Sequence, residues 1–364
     1  MIIVLLCTFS VTVVDSLEKL PSRDTSRTYE PLLALTRRFP NKSCPWLTDD
    51  SQWKSCVHPE GALYLYDGSR RAYTEANIDE ITFREVDGCV DALYELARNN
   101  SVDLTTGDIE LVVQLEVAQD EVSCQYYFVD HKERTVFWLH DPSEATESIF
   151  SALQGVYDPS HMGALCGTYD VACFNQPVGY ALEDEYWTHC EHYPNHRMDR
   201  KKLVKELREL VMHASAEIIT SDTSLSPFDS NELSKIMELL GHLQENAADN
   251  DFLHSTCVIA RFMHYFCRAK FFNFCGLPCA RLDADKSVYP EDTGFHLLAS
   301  SISFAIEAIL FWAPRARLEN LRRVWVDESI IMPRWKDFNT NLMAEWTGIT
   351  IYVRIVKPAS HFVP

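Results

Sequence analysis

Tyr127-Phe128-Val129-Asp130-His131-Lys132-Glu133-Arg134-Thr135-Val136-Phe137-Trp138 is the stretch on which the reading of the fold turns. Aromatic and β-branched residues flank a polar centre, Asp130 to Glu133, which predicts two short strands joined by a tight turn. Side chains alternate between the faces of a strand, so Tyr127, Val129 and His131 share one side, and Phe128 and Asp130 the other. If Tyr127 and Trp138 both stand at the surface and close on each other, they form a slot for a proline ring, with Val129, His131 and Arg134 beside it. The competing expectation is a cross-strand aromatic pair buried under other elements.

The hairpin is similar to the second and third strands of a WW domain, down to the spacing from Tyr127 to Trp138. An upstream segment carries another part of that pattern. Trp53 precedes Gly61 by eight residues, and Tyr64, Leu65, Tyr66 and Asp67 follow, but Gly68 to Tyr73 brings no second Trp. In the downstream segment Glu116 and Cys124 stand where the first Trp and the Gly belong, and the closing proline is Pro142. Without the packing those residues supply, so small a sheet is marginal in water, and the hairpin is expected to lean on other strands or on a helical body. What the resemblance implies is recognition of proline-rich peptides, since a preformed polyproline helix loses little entropy on docking.

Outward from the hairpin, the chain reads as α+β: a small β-rich, WW-like N-terminal region followed by a mostly α-helical body. Residues 1–45 are an apolar N-terminus and a polar, proline-bearing linker. Residues 46–142 are β-rich, with runs at Ala62 to Tyr66, Ile109 to Val117 and Gln125 to Leu139, and a short helix over Val90 to Ala97. From Tyr180 the period changes from two to 3.6, predicting a helical domain over 180–353. Leu203, Val204, Leu207, Leu210, Val211 and Ala214 make one apolar stripe, and Leu233, Ile236, Met237, Leu240 and Leu243 the next. Ser226, Pro227 and Asp229 read as N-cap, first turn and third position of the second helix. Further helices are predicted over Phe252–Phe272, Phe295–Trp312, Leu318–Ser329 and Phe338–Val353. The Phe295 helix carries His296 and Glu307 and reads as buried core, since charge inside a bilayer is costly.

The wider arrangement resembles uncharacterised basidiomycete-type fungal proteins with a WW-like N-terminal region and a helical body. The residues behind this are His58 to Tyr64, Tyr126 to His140, Thr220 to Thr223, Lys270 to Phe274, Ala280 to Asp285 and Trp325 to Asp327. Members of that group continue into C-terminal membrane helices. Membrane association is therefore what the resemblance implies, while Ile349 to Pro364 offers only a short apolar piece containing Pro358.

Composition narrows the function classes. With 46% hydrophobic and 24% charged residues the 364-residue chain is a globular one, not a disordered one. A net charge of −20 opposes phosphate neutralisation, so no nucleic acid is expected as a partner. Twelve cysteines scattered over this length read as reduced thiols in an intracellular protein. The apolar Met1 to Val14 and the sequons at Asn41 and Asn99 support secretion as the alternative.

Chemistry is harder to find. His189, Cys190, His192 and His196 cluster near Pro194, and imidazole with thiolate suits zinc, but the spacing matches no standard module. Cys275 and Cys279 are too loosely spaced for a redox pair, and Arg281 with Asp283 and Asp285 reads as a pinned loop. Phosphate loops, nucleophile elbows and zinc-protease helices are absent from the sequence. The sequence therefore assigns no catalytic residue, no metal and no cofactor. Its expectation is a protein-interaction protein using Tyr127, Val129, His131, Arg134 and Trp138; the runner-up is a Cys/His metal protein or hydrolase in the helical body, and the third reading is a purely structural, degenerate module.

Overall fold

The computed structural model describes residues 7–10, 51–75, 80–118, 121–140, 175–196, 198–245, 253–278, 280–287, 320–326, 329–330 and 332–356. Among them are strands β1 (Cys7–Ser10), β2 (Trp53–Val57), β3 (Leu63–Asp67) and β4 (Ala72–Glu75), followed by helix α1 (Glu80–Asn99). Then come β5 (Ile109–Ala118), β6 (Glu121–Asp130) and β7 (Thr135–Phe137). The helices α2 (Asn175–His192), α3 (Arg200–Thr220), α4 (Ser230–Glu245) and α5 (Leu253–Phe272) follow. The strands β8 (Trp325–Val326) and β9 (Ser329–Ile330) and helix α6 (Met332–Val356) complete the order. A sheet-bearing N-terminal part followed by a mostly helical part is α+β.

The chain divides into two compact units: Met1–Ile149 with Glu185–Arg197 and Asp251–Ala260, and Phe150–Asp184 with Met198–Asn250 and Arg261–Pro364. The first unit is built on one seven-stranded sheet in the order β1-β6-β5-β4-β3-β2, with β7 also paired to β6. The segments from Trp53 to Tyr73 and from Tyr127 to Trp138 both lie in this unit. Trp53 and Tyr64 lie in the antiparallel meander β2–β3–β4, which joins the rest through a parallel β4–β5 pairing. The β6–β7 hairpin is backed by ten residue pairs between β5 and β6, the neighbouring strand an isolated hairpin would lack.

Two hairpin loops share one construction. Asp67 and Ala72 flank Gly68 to Arg71, and Asp130 and Thr135 flank His131 to Arg134. Each aspartate accepts from two backbone N–H groups ahead of it, Ser69 and Arg70 in one loop, Lys132 and Glu133 in the other. Each loop closes with an arginine in the left-handed region, φ 54° for Arg71 and 51° for Arg134.

Strand alternation gives the sheet two faces. Trp53, Leu65, Leu111, Val113, Tyr126 and Phe128 pack with Val86, Val90, Leu93 and Ala97 of α1 in an apolar core. Helix α1 begins nearly three turns before the predicted Val90; Gly88 and Thr82 break the propensity pattern locally, but the buried face that starts at Val86 overrides it. The opposite face carries Tyr66, Tyr73, Glu110, Val112, Tyr127 and Val129 by register.

In the second unit the predicted stripe of α3 is buried at Leu203, Val204, Leu207, Val211 and Ala214, and that of α4 at Leu233, Ile236 and Leu240. Two expectations are corrected. Helix α4 starts at Ser230, capped by the reciprocal Asp229–Glu232 box, while Ser226 accepts from Phe228 N–H in a turn ahead of it. Of the described residues in the helix predicted over Leu318–Ser329, 320–324 are helical, while the aromatic and β-branched Trp325 and Val326 pair with Ser329 and Ile330 instead. The predicted Phe295–Trp312 helix, residues 15–45 and Pro142 lie outside the described residues.

Candidate metal centre

Of the residues proposed for a proline slot, Tyr127 and Val129 are buried, and Tyr127 Oη lies 3.2 Å from His189 Nδ1. Trp138 is half-buried and packs against the apolar core of Phe128 and α1. Arg134 holds its guanidinium 5.3 Å from the Trp187 ring centroid. Tyr127 stands on the sheet face that meets α2, its ring edge-on to His189. His131 is the residue of the set that supplies a candidate ligand atom to a buried cluster.

That cluster is assembled from three elements. Glu110 points inward from β5 on the face opposite α1, opposite Val129 in register. His131 opens the β6–β7 loop, fixed by the Asp130 turn and by its own N–H donating to Asp108 O at 2.9 Å. His189 comes from α2. His189 Nε2 and His131 Nε2 lie 3.0 and 2.9 Å from one oxygen, Glu110 Oε2, and the three side chains are 1%, 3% and 1% exposed. The ligand atoms of all three lie within 4.8 Å of one another. His189 donates properly to that oxygen. His131 Nε2 is close but off-axis, and it has no aligned hydrogen-bond partner.

A ring of tyrosines holds the outer atoms. Tyr73 Oη donates to Glu110 Oε1 at 3.1 Å, Tyr127 Oη meets His189 Nδ1, and Tyr186 Oη lies 3.2 Å from His131 Nδ1. Burial raises all three phenols far above their usual range, so they stay neutral and can donate or accept. His196 stacks parallel on His131 at 3.6 Å between centroids; its Nδ1 is 3.8 Å from Glu110 Oε1, and its side chain is 23% exposed.

The electrostatics favour an ionised Glu110 and a neutral His189. Burial alone would raise the Glu110 carboxyl, but the neighbouring His131 and His189 outweigh it and hold Glu110 below the ordinary carboxylate range. Burial lowers His189 despite its bond to Glu110, and burial with the adjacent His131 lowers His196 to about 4. An anionic carboxylate and neutral imidazoles are the states in which these groups bind a cation.

The histidine cluster seen in the sequence is split by the fold. His192 Nδ1 bonds Thr188 O of its own helix, and Cys190 is paired with Tyr186. The partners of His189 come instead from strands about sixty and eighty residues away in the chain. Among the described residues Cys56, Cys89, Cys124, Cys190, Cys257, Cys267 and Cys275 are free thiols.

One Cys–His pair does form. Cys257 Sγ lies 3.1 Å from His58 Nε2. His58 Nδ1 accepts from Glu60 N–H, so the neutral ring carries its proton on Nε2 and donates it to Glu191 O at 2.7 Å. The Cys257 thiol donates to the same carbonyl at 3.0 Å. A ring so arranged cannot take the thiol proton, and the pair is a structural one, not a nucleophile with its base.

Comparison with protein-family models, with curated proteins and with solved structures finds no match to this chain.

Proposed function

We propose that this protein binds a divalent first-row transition metal through Glu110, His131 and His189. The observation that carries the reading is the convergence of two imidazole nitrogens on one buried carboxylate oxygen, with His131 Nε2 lacking an aligned partner. A buried polar atom left so is costly in a purely structural network, and an ion at the focus of the three donors would satisfy it. Support comes also from the tyrosines, which occupy the outer-shell role that ligating histidines require. An ion at this focus would be held by His189 Nε2, which would leave the imidazole proton on Nδ1 to be donated to Tyr127 Oη. Two histidines and a carboxylate suit zinc or iron(II), and a three-ligand set leaves positions at which the ion can acidify water or polarise a carbonyl.

Cobalt(II) titration of chelator-stripped protein tests this. One equivalent should bind and give visible d–d bands. Glu110→Gln and His189→Ala should abolish them, while His192→Ala, whose imidazole is tied to its own helix, should keep them. Absence of stoichiometric binding by the wild type, or binding that survives Glu110→Gln combined with His189→Ala, rejects the reading.

Recognition of proline-rich segments through Tyr127 and Trp138 is a separate proposal, and it requires Tyr127 to leave its position against His189. Loss of peptide capture in Trp138→Ala, with helical content unchanged, is its test.

A further inference from the structure

The second unit contains a cleft of about 650 Å³, within the size range of small-molecule sites. It lies between the loop that precedes α4, the C-terminal half of α5, and the start of α6. Its apolar lining includes Leu225, Phe228, Phe272 and Pro333. Three cations also line it: Arg268, Arg281 and Lys336. Among the described lining residues one carboxylate, Glu232, is present, and Lys336 pairs with it. Arg268 is different. Its guanidinium lies 5.3 Å from the Phe272 ring centroid, and among the described residues no carboxylate pairs with it. A cationic cleft is unexpected on a chain of net charge −20, and nothing in the metal reading uses it.

We propose that this cleft binds a small organic monoanion with a flat apolar body, an aromatic carboxylate in chemical class. The carboxylate docks on the planar fork of Arg268, which matches its two oxygens, and the ring lies against Phe272 and Phe228. The charge of the whole chain sets the upper limit on the ligand: a polyanion such as a nucleic acid is repelled before it reaches the cleft, whereas a single compact charge is not. The ring supplies apolar burial and Arg268 supplies the selection of acid over neutral isostere.

Calorimetric titration with 2-naphthoate and with 2-naphthamide tests both halves on the full chain, with no metal added. Naphthoate should bind at one site per chain and about tenfold or more tighter than the amide, the scale of a charge-assisted hydrogen-bonded pair. Arg268→Gln should bring the acid down to the amide's affinity, Arg268→Lys should give an intermediate value, and Arg98→Gln on α1 should change nothing. Circular dichroism of each variant checks that the fold is kept. Equal binding of acid and amide, unchanged acid binding in a folded Arg268→Gln, or no naphthoate binding at millimolar concentration each overturns the proposal. None of these outcomes bears on the metal centre, which is in the other unit.

Discussion

The two faces of the seven-stranded sheet are made by the same strands and built to opposite ends. On the α1 face, Leu111, Val113, Tyr126 and Phe128 close an apolar core with Val90 and Leu93. On the other face the intervening residues, Tyr73, Glu110 and Tyr127 among them, meet His131, His189 and Tyr186. The first face is what a fold needs. The second holds a buried carboxylate and imidazoles where apolar side chains of similar volume would be cheaper to bury, and such groups persist where they do something. The contrast separates the two by strand parity: odd-numbered residues of β5 carry the fold, and Glu110 carries the proposed site.

The sharpest way to break that division is Phe128→Ala. Phe128 is fully buried, stacked on Phe137 at 5.3 Å and edge-on to Tyr94 at 6.0 Å. Its truncation should cost about 3–5 kcal/mol in denaturant unfolding, with or without metal. A loss under about 1 kcal/mol would mean that the α1 face is not the core it is taken for.

On the opposite face the expected effect is conditional. Free zinc at a hundred times its dissociation constant should stabilise the wild type by about 2.7 kcal/mol, by simple linkage. Glu110→Gln should erase that increment while leaving a folded protein. Thermal midpoints recorded with zinc and with chelator measure both. A midpoint indifferent to zinc in the wild type would return this face to the status of an inert buried network.

How much of this was legible follows from particular residues. The β6–β7 hairpin is readable because Asp130 to Glu133 interrupts aromatic and β-branched runs, and α3 because Leu203, Val204, Leu207 and Val211 repeat at helical spacing. Helix α1 was half-read: its first turns hold Thr82 and Gly88, and only the sheet beneath reveals that Val86 continues the stripe. The site was legible in one member. His131 sits in the decisive stretch, and His189 was noted for the wrong companions, since helical spacing pointed to His192. Glu110 carries a signal of its own, a carboxylate between Ile109 and the run Leu111-Val112-Val113. Nothing local told whether it faced water or the interior, because the answer lies in the β5–β6 register and in α2, far along the chain.

The finest test uses the twin loops, which share a backbone and differ in what their aspartates do besides. Asp67 and Asp130 each accept from two backbone N–H groups, and an Asn in either place keeps an acceptor oxygen for the turn. Asp67 is also fully buried and ion-paired to Arg70 at 2.6 Å, while Arg70 in turn reaches Asp87 and Asp91 of α1. Burial would raise the Asp67 carboxyl, but its bonds from Ser69 and Arg70 hold it below the usual value. A carboxyl depressed in the folded state contributes stability that is present above its unfolded value, near 4, and is lost as pH falls below it. Asp67→Asn should therefore cost about 1.5–3 kcal/mol at neutral pH, the scale of a hydrogen bond to a charged group. The same change should flatten the loss of stability on acidification. Asp130→Asn should stay within about 0.5 kcal/mol, because its turn bonds survive the substitution. Urea unfolding of the two variants at pH 7 and again at pH 3 reads the difference; equal costs at neutral pH would show that the loop backbone alone, and not the Asp67–Arg70 pair, fixes α1 to its face of the sheet.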